Sequence, residues 1–163
     1  MKICVYAICK NESQFVPQWM SSMGEADEIY VLDTGSEDDT VERLRARGAR
    51  VTVEPISPWR FDTARNRSLE LVPQDADICV CTDLDEVFHP GWRQALEQAW
   101  TLGAGQATYR YTWSFNPDGS EGVVFWYEKI HARHGYRWVH PVHEVLQWVG
   151  TGQPGPTVTV EGV

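Results

Sequence analysis

The sequence predicts an α/β protein whose mostly parallel sheet is flanked by helices. Strand-like and helix-like segments alternate four times between Met1 and Trp100, a pattern typical of parallel sheets built from strand–helix units. Acidic segments follow the second and the fourth of these strands, and open sheets of this kind bind ligands beyond the carboxyl ends of their strands. From Gln106 onward two strand-like runs replace the alternation, which predicts a small antiparallel appendage near the C-terminus.

The first two strand–helix units follow from short apolar runs and their flanking residues. Residues 2–8 are rich in β-branched and aromatic side chains and predict the first strand. The helix after it has one apolar face and is expected to end at Gly24 in a left-handed cap. Residues 28–32 predict the second strand, and the next helix is expected to be capped by Ser36 and to end at Gly48.

The remaining two units follow the same pattern. Residues 50–54 predict the third strand, and Asp62 is a suitable N-cap for a helix that runs to about residue 72. Residues 77–82 predict a fourth, strongly apolar strand, after which Pro90 opens a helix. These four strands are therefore expected to form the parallel part of the sheet.

The last third of the chain has a different pattern. Residues 107–113 and 123–130 predict two strands, and the turn residues at 116–119 suit a hairpin between them. Residues 131–163 show no helical pattern and are expected to wrap over the sheet. We therefore predict one domain, with residues 1–100 as one half and residues 101–163 as the other.

Charge and cysteine content narrow the class of protein. The net charge of -9 argues against nucleic acid as a partner, because binding to a phosphate backbone depends on Lys and Arg. The four cysteines lie in apolar stretches and are expected to be reduced and buried, as in a cytoplasmic protein. No apolar run approaches the ~20 residues that cross a bilayer, so we expect no transmembrane segment.

Two carboxylates directly after the fourth strand carry the strongest chemical signal. Asp83 and Asp85 are separated by one residue and would share a face in extended chain. Carboxylate oxygens are ligands for hard divalent cations such as Mn²⁺ and Mg²⁺. The alternative is a solvated acidic turn that caps the next helix. Asp33 follows the second strand and is expected at the same edge of the sheet, although it could also serve only to start a helix.

Four short motifs together resemble a known enzyme family. The sequence contains CKNE at 9–12, DTGS at 33–36, ARN at 64–66 and DLDE at 83–86. Their order and spacing over roughly the first 100 residues resemble those of family 2 glycosyltransferases, which have the Rossmann-like GT-A fold. The resemblance implies metal-dependent transfer of a sugar, with inversion, from a nucleoside diphosphate sugar. A UDP-sugar is the favoured donor, and the acceptor, whether a glycan, a lipid-linked saccharide or a protein, is not identified.

The resemblance also assigns roles to particular residues. Asp33 is similar to the carboxylate that contacts the donor base, and Asp85 to the metal ligand. Arg65 and Asn66 resemble a pair that closes over the base and diphosphate. The donor-nucleotide-binding residues implied are Glu12, Asp33, Arg65, Asn66 and Asp83.

The motif HPVHE at 140–144 is the candidate source of the catalytic base. An inverting enzyme needs a base across the sugar from the leaving diphosphate, and Glu144 is the one obvious late carboxylate. His143 is the candidate third metal ligand or diphosphate contact. The alternative is that both residues only pin the terminal segment to the core. The chain is shorter than most family members, which leaves open that part of the acceptor-side half is missing.

Two other functions fit the same residues. One is a catalytically silent nucleotide-sugar-binding module, and the other is a Mg²⁺-dependent nucleotidyltransferase or phosphohydrolase. The phosphohydrolase alternative is disfavoured because its paired aspartates normally follow the first strand, whereas here they follow the fourth. The last third of the chain has four tryptophans that could stack on a sugar: Trp113, Trp126, Trp138 and Trp148. Most of them are expected in the core, because large aromatic side chains are more often buried.

Overall fold

A computed structural model describes all 163 residues and contains a seven-stranded and a two-stranded sheet. The elements in chain order are β1 (Ile3–Cys9), α1 (Val16–Met23), β2 (Glu28–Asp33), α2 (Thr40–Ala46), β3 (Arg50–Val53), α3 (Phe61–Glu70), β4 (Ile78–Cys81), α4 (Trp92–Ala99), β5 (Gln106–Thr112), β6 (Val124–Ala132), β7 (Tyr136–Val139), β8 (Val145–Trp148) and β9 (Thr157–Val160). The large sheet has the order β3-β2-β1-β4-β6-β5-β9, and β6 alone runs antiparallel to its neighbours. The predicted mostly parallel α/β fold is therefore confirmed.

The centre of the sheet is covered on both faces. β1 and β4 are entirely buried, as expected of apolar strands in a parallel sheet. Successive side chains of β1 point to opposite faces, so Val5 packs on the side of α1 and α4 while Tyr6 packs on the side of α3. All four cysteines are free and buried, as predicted. No helix is long and apolar enough to cross a membrane.

Three predicted helix caps are wrong, and in two of them the side chain binds a nearby side chain instead of capping the helix. Gly24 has a φ of -65°, so the cap of α1 is not left-handed. The hydroxyl of Ser36 donates to Asp33 and does not cap α2. Asp62 lies in the first turn of α3, where it pairs with Arg60 at 2.7 Å, and is not the N-cap.

The last third contains more strand than the sequence predicts. The β5–β6 hairpin forms as predicted, but it extends the main sheet because β6 pairs with β4. The small antiparallel appendage is instead the β7–β8 pair. β9 pairs in parallel with β5, which lies about 50 residues earlier in the chain. A local sequence pattern does not predict a pairing between segments so far apart.

Candidate active site

The predicted site residues lie at the carboxyl ends of the central strands. Glu12 follows β1, Asp33 ends β2 and Asp83 follows β4, while α3 contributes Arg65. Parallel strands β1, β2 and β4 are neighbours, so their ends share one edge of the sheet. The order of motifs in the sequence therefore places these side chains at a common edge, as expected.

Arg65 joins two of the predicted residues directly. Its Nη2 donates to Asp83 Oδ1 at 2.5 Å, and its Nε donates to Glu144 Oε1 at 3.1 Å. Arg65 is 3% exposed, so this ion pairing takes place in a largely dry environment. The structure thus brings the carboxylate after β4 together with the candidate base from the last third of the chain.

Lys129 on β6 is a site residue that the sequence analysis missed. Its Nζ lies 2.8 Å from Asp83 Oδ2 and 2.8 Å from Glu86 Oε1, and the residue is 2% exposed. Burial opposes ionisation of Asp83, yet Arg65 and Lys129 together outweigh it and lower the pKa of Asp83 to about 2. The sequence signal for Lys129 is weak, because β6 also contains Glu128 and His131, and the partners of the lysine are set only when β6 pairs with β4.

The acidic motif after β4 does not form extended chain. Leu84 is buried in the core, and residues 83–86 form a turn in which Glu86 accepts a hydrogen bond from the backbone N–H of Asp83 at 2.9 Å. The expectation of two carboxylates on one face of a strand is therefore wrong in detail. Asp83 is held by cations on the inside of the turn, while Asp85 is exposed and makes no hydrogen bond.

Asp85 is the residue at this edge whose carboxylate is free to bind a metal ion. No group of three or more His, Cys, Asp or Glu side chains is arranged to hold a metal ion. The free carboxylate of Asp85 nevertheless fits a hard divalent cation of the kind that proteins bind through one or two carboxylates plus substrate phosphates. A cation here would take its remaining ligands from a bound diphosphate and from water.

Asp33 is fully buried, and all its hydrogen bonds stay within the chain. Oδ1 accepts from the backbone N–H groups of Gly35 and Ser36 at 3.0 and 2.8 Å, and Oδ2 accepts from the hydroxyl of Ser36. The carboxylate therefore shapes the loop after β2. Contact with a donor base requires the Ser36 hydroxyl to turn away, and this role remains a prediction.

Trp138 forms the floor beneath Arg65. The guanidinium lies 5.7 Å from the indole centroid, and the indole N–H donates to Tyr6 Oη at 2.8 Å. Tyr6 in turn contacts His131 Nε2 at 2.8 Å. Asn66 bonds to both the backbone N–H and the carbonyl of Trp138, at 2.9 and 2.8 Å, so its amide fixes β7 against α3.

The turn between β7 and β8 positions Glu144 and His143 differently. The carbonyl of Pro141 accepts from Phe61 N–H at 3.0 Å, which ties this turn to the start of α3 and brings Glu144 to Arg65. His143 is exposed, has a φ of 55° and makes no hydrogen bond through its ring. Of the two predicted residues from the late motif, only Glu144 contacts the buried ion pairs.

The pKa of Glu12 is raised by burial and by two neighbouring carboxylates. Burial, followed by the negative charges of Asp83 and Asp85, raises the pKa of Glu12 to about 7. The native state therefore holds this proton more tightly than the unfolded chain, and its stability falls as the pH rises from about 4.5 to about 7.

We expect Glu12→Gln to be more stable than the wild type above pH 7 and closer to it near pH 4.5, because glutamine has no proton to lose. Each kcal/mol regained corresponds to about 2–4 °C in Tm for a chain of this size. Thermal unfolding between pH 4.5 and pH 8 measures the difference. Glu42→Gln removes an exposed, unpaired carboxylate of α2 and is the control. Parallel pH profiles for Glu12→Gln and the wild type would contradict the assignment.

Comparison with known proteins agrees with this fold. Residues 4–143 match the family described as Glycosyl transferase family 2. The crystal structure of glucosyl-3-phosphoglycerate synthase from Mycobacterium tuberculosis with UDP is 29% identical, with a TM-score of 0.55 over 66% of this chain and 43% of that one. The same synthase with Mn²⁺, UDP-glucose and phosphoglyceric acid is 30% identical, with a TM-score of 0.54 over 66% of this chain and 43% of that one.

A more distant enzyme shares the fold. A mannosyltransferase from Pyrobaculum calidifontis, in complex with GDP-mannose and Mn²⁺, is 18% identical with a TM-score of 0.56 over 72% of this chain and 36% of that one. The chain spans less than half the length of these structures. Because the family match covers most of the 163 residues and the sheet has the GT-A arrangement, the chain belongs to glycosyltransferase family 2.

Proposed function

We propose that this chain transfers a sugar from a nucleoside diphosphate donor to an acceptor hydroxyl, with inversion and with help from Mn²⁺ or Mg²⁺. The single observation that carries the proposal is the buried Arg65, which pairs with Asp83 and Glu144 beside the free carboxylate of Asp85. A UDP-sugar is the favoured donor because the mycobacterial synthase, about 30% identical, binds UDP and UDP-glucose.

The charge of the site supports the need for a cation. This edge of the sheet holds two buried cations and six carboxylates. The cations are Arg65 and Lys129, and the carboxylates are Glu12, Asp33, Asp83, Asp85, Glu86 and Glu144. The carboxylates therefore outnumber the cations, and a diphosphate would add like charge at close range. A divalent cation on Asp85 would offset this repulsion and the charge that develops on the departing diphosphate.

The remaining donor contacts come from the strand ends and from α3. We assign the donor base to Asp33, the nucleoside to Glu12 and the ribose to Asp83. We assign the diphosphate to Arg65, and Asn66 supports this residue by holding Trp138 in place. His143 is assigned a contact with the cation or the diphosphate, since its exposed ring is free to reach a ligand.

Glu144 is assigned the role of general base. Arg65 Nε binds Oε1, which orients the carboxylate and leaves Oε2 available. As the acceptor oxygen attacks the anomeric carbon, its proton passes to Glu144 and the bond to the diphosphate breaks on the opposite face. Inversion follows from attack and departure on opposite faces of the sugar.

The second candidate is a catalytically silent donor-binding module. The ion pair with Arg65 occupies one oxygen of Glu144, and this observation favours the module. The two functions differ in turnover, because a silent module binds UDP with Mn²⁺ but neither transfers nor hydrolyses the sugar of UDP-sugars.

We expect UDP to bind the wild type about tenfold or more tightly with Mn²⁺ than with EDTA, a difference of ~1.4 kcal/mol. Asp85→Asn should lose most of this difference, because the amide is a poor ligand for a hard cation. Calorimetric titration of both proteins measures it, and Glu42→Gln, which removes a carboxylate from the exposed face of α2, should keep the Mn²⁺ effect. Equal affinity of the wild type with and without Mn²⁺ would refute the metal requirement.

A further inference from the structure

A large cavity opens beside the candidate metal ligand. It has a volume of about 710 Å³ and lies between the turn that carries Asp85 and the β5–β6 hairpin. Cavities of this size are typical of small-molecule sites. Six aromatic side chains contribute to its wall: Phe15, Phe88, Tyr109, Tyr111, Trp113 and Phe115.

The aromatic wall is rigid at its base and open at its rim. Tyr109 and Tyr111 are two residues apart on β5, and Trp113 follows two residues later. Because every second side chain of a strand points the same way, the three side chains share one face. Tyr111 packs against Tyr127 with ring centroids 5.1 Å apart. Trp113 is 66% and Trp126 is 54% exposed, which contradicts the expectation that most of the late tryptophans lie in the core. The indole of Trp113 is therefore an exposed surface on which a flat ligand can stack.

The floor of the cavity has an unused polar group. Tyr109 is 1% exposed, and its hydroxyl is the one buried side-chain polar atom without a hydrogen-bond partner. A buried hydroxyl without a partner destabilises the native state, and a polar ligand that reaches the floor would relieve this. The wall therefore combines aromatic surface with one buried hydroxyl, that of Tyr109, which has no hydrogen-bond partner.

The charge of the wall excludes one class of ligand. The wall has three carboxylates, no lysine and a single arginine, Arg110. Both terminal nitrogens of Arg110 bind Glu121 at 2.5 Å, so this cation is not free to bind an anion. Asp85 and Glu86 add negative charge at the inner end. The exposed His89 also lines the wall, but the three carboxylates outnumber the basic side chains Arg110 and His89, so the wall disfavours an anionic ligand.

We infer that this cavity binds a neutral saccharide as the acceptor, with its sugar ring stacked on Trp113. The inference rests on the proposed transferase function. The C–H face of a pyranose is apolar and packs against an indole, while its hydroxyl groups bind polar groups of the wall such as Thr112 and the inner carboxylates. The inner end of the cavity carries Asp85, so a saccharide seated here lies next to the candidate metal ligand.

The test compares neutral and anionic probes on the full chain in the presence of UDP and Mn²⁺. Maltose, cellobiose and chitobiose are the neutral probes, phosphoglyceric acid is the anionic probe, and calorimetry gives the affinities. At least one disaccharide should bind, and Trp113→Ala should weaken it at least tenfold. Trp126→Ala is the matched control, since Trp126 is 54% exposed on β6 but does not line the cavity.

Every result of this test either supports or overturns the assignment of the cavity to a neutral saccharide. Binding of phosphoglyceric acid but of no disaccharide, no binding of any probe, or unchanged affinity in Trp113→Ala would overturn it. UDP affinity, measured in the same samples, reports whether each variant is folded and tests the donor site separately. Normal UDP binding without saccharide binding refutes only the acceptor assignment, whereas loss of Mn²⁺-dependent UDP binding in the wild type refutes the proposed function. Phe115→Ala provides a second rim variant with the same expected direction.

Discussion

Arg65→Met is expected to lower the free energy of unfolding by about 3–5 kcal/mol, because it leaves two partly buried carboxylates without their partner. Methionine keeps an unbranched apolar stem but removes the guanidinium that pairs with Asp83 and Glu144 and lies over Trp138. Lys129 would still offset part of the charge on Asp83, and Glu144 has no other cation nearby.

Urea unfolding at neutral pH measures this loss, with Arg67→Met as the control on the same helix. Arg67 pairs with Glu54 and Glu70 on the surface, and such exposed pairs contribute only about 0–1 kcal/mol. A loss in Arg65→Met as small as that in Arg67→Met would show that the buried network contributes little to stability. The structural role of Arg65 would then be refuted.

Glu144→Gln is expected to lower kcat for sugar release from UDP-sugars by about 10²–10⁴-fold, with UDP affinity nearly unchanged. The amide oxygen can still accept the hydrogen bond from Arg65 Nε, so the turn between β7 and β8 should keep its position. The amide cannot take a proton from an acceptor hydroxyl or from water. The expected loss therefore falls on turnover and not on binding.

The measurement is UDP release from a panel of UDP-sugars with Mn²⁺, alongside UDP titration of each variant. His143→Ala is the neighbouring control: it should weaken Mn²⁺-dependent UDP binding and retain turnover at saturating donor. An undiminished rate in Glu144→Gln would mean that another group is the base. A wild type that binds UDP with Mn²⁺ yet releases none from any UDP-sugar would favour the silent module.

The contrast between Asp83 and Asp85 marks how far the candidate site follows from sequence. Both carboxylates occur at the end of a strand, as expected, because a run of apolar residues that ends in acidic residues is a local pattern. Their separation into a half-buried, paired Asp83 and an exposed, free Asp85 depends on the turn around Leu84. No spacing rule predicts that turn, since it forms when Leu84 packs into the core.

Trp113 and Trp138 show the same limit for aromatic residues. Both are tryptophans in strand-like surroundings, yet Trp113 is 66% and Trp138 is 4% exposed. Burial of most large aromatic side chains is a sound general expectation, but the face of a strand that receives a covering layer depends on what packs there. Trp138 meets α3, whereas Trp113 lies beyond the covered part of the hairpin.

Local sequence patterns are enough to predict the four strand–helix units, the parallel part of the sheet and the carboxylates at its edge, because apolar periodicity and strand-end residues act over short distances along the chain. Three features follow from long-range packing alone: Lys129 neutralises Asp83, Glu144 reaches Arg65 across 79 residues of chain, and β9 completes the sheet. These contacts join segments far apart in the sequence. Their partners are chosen by strand pairing and by the need of each buried charge for an opposite one.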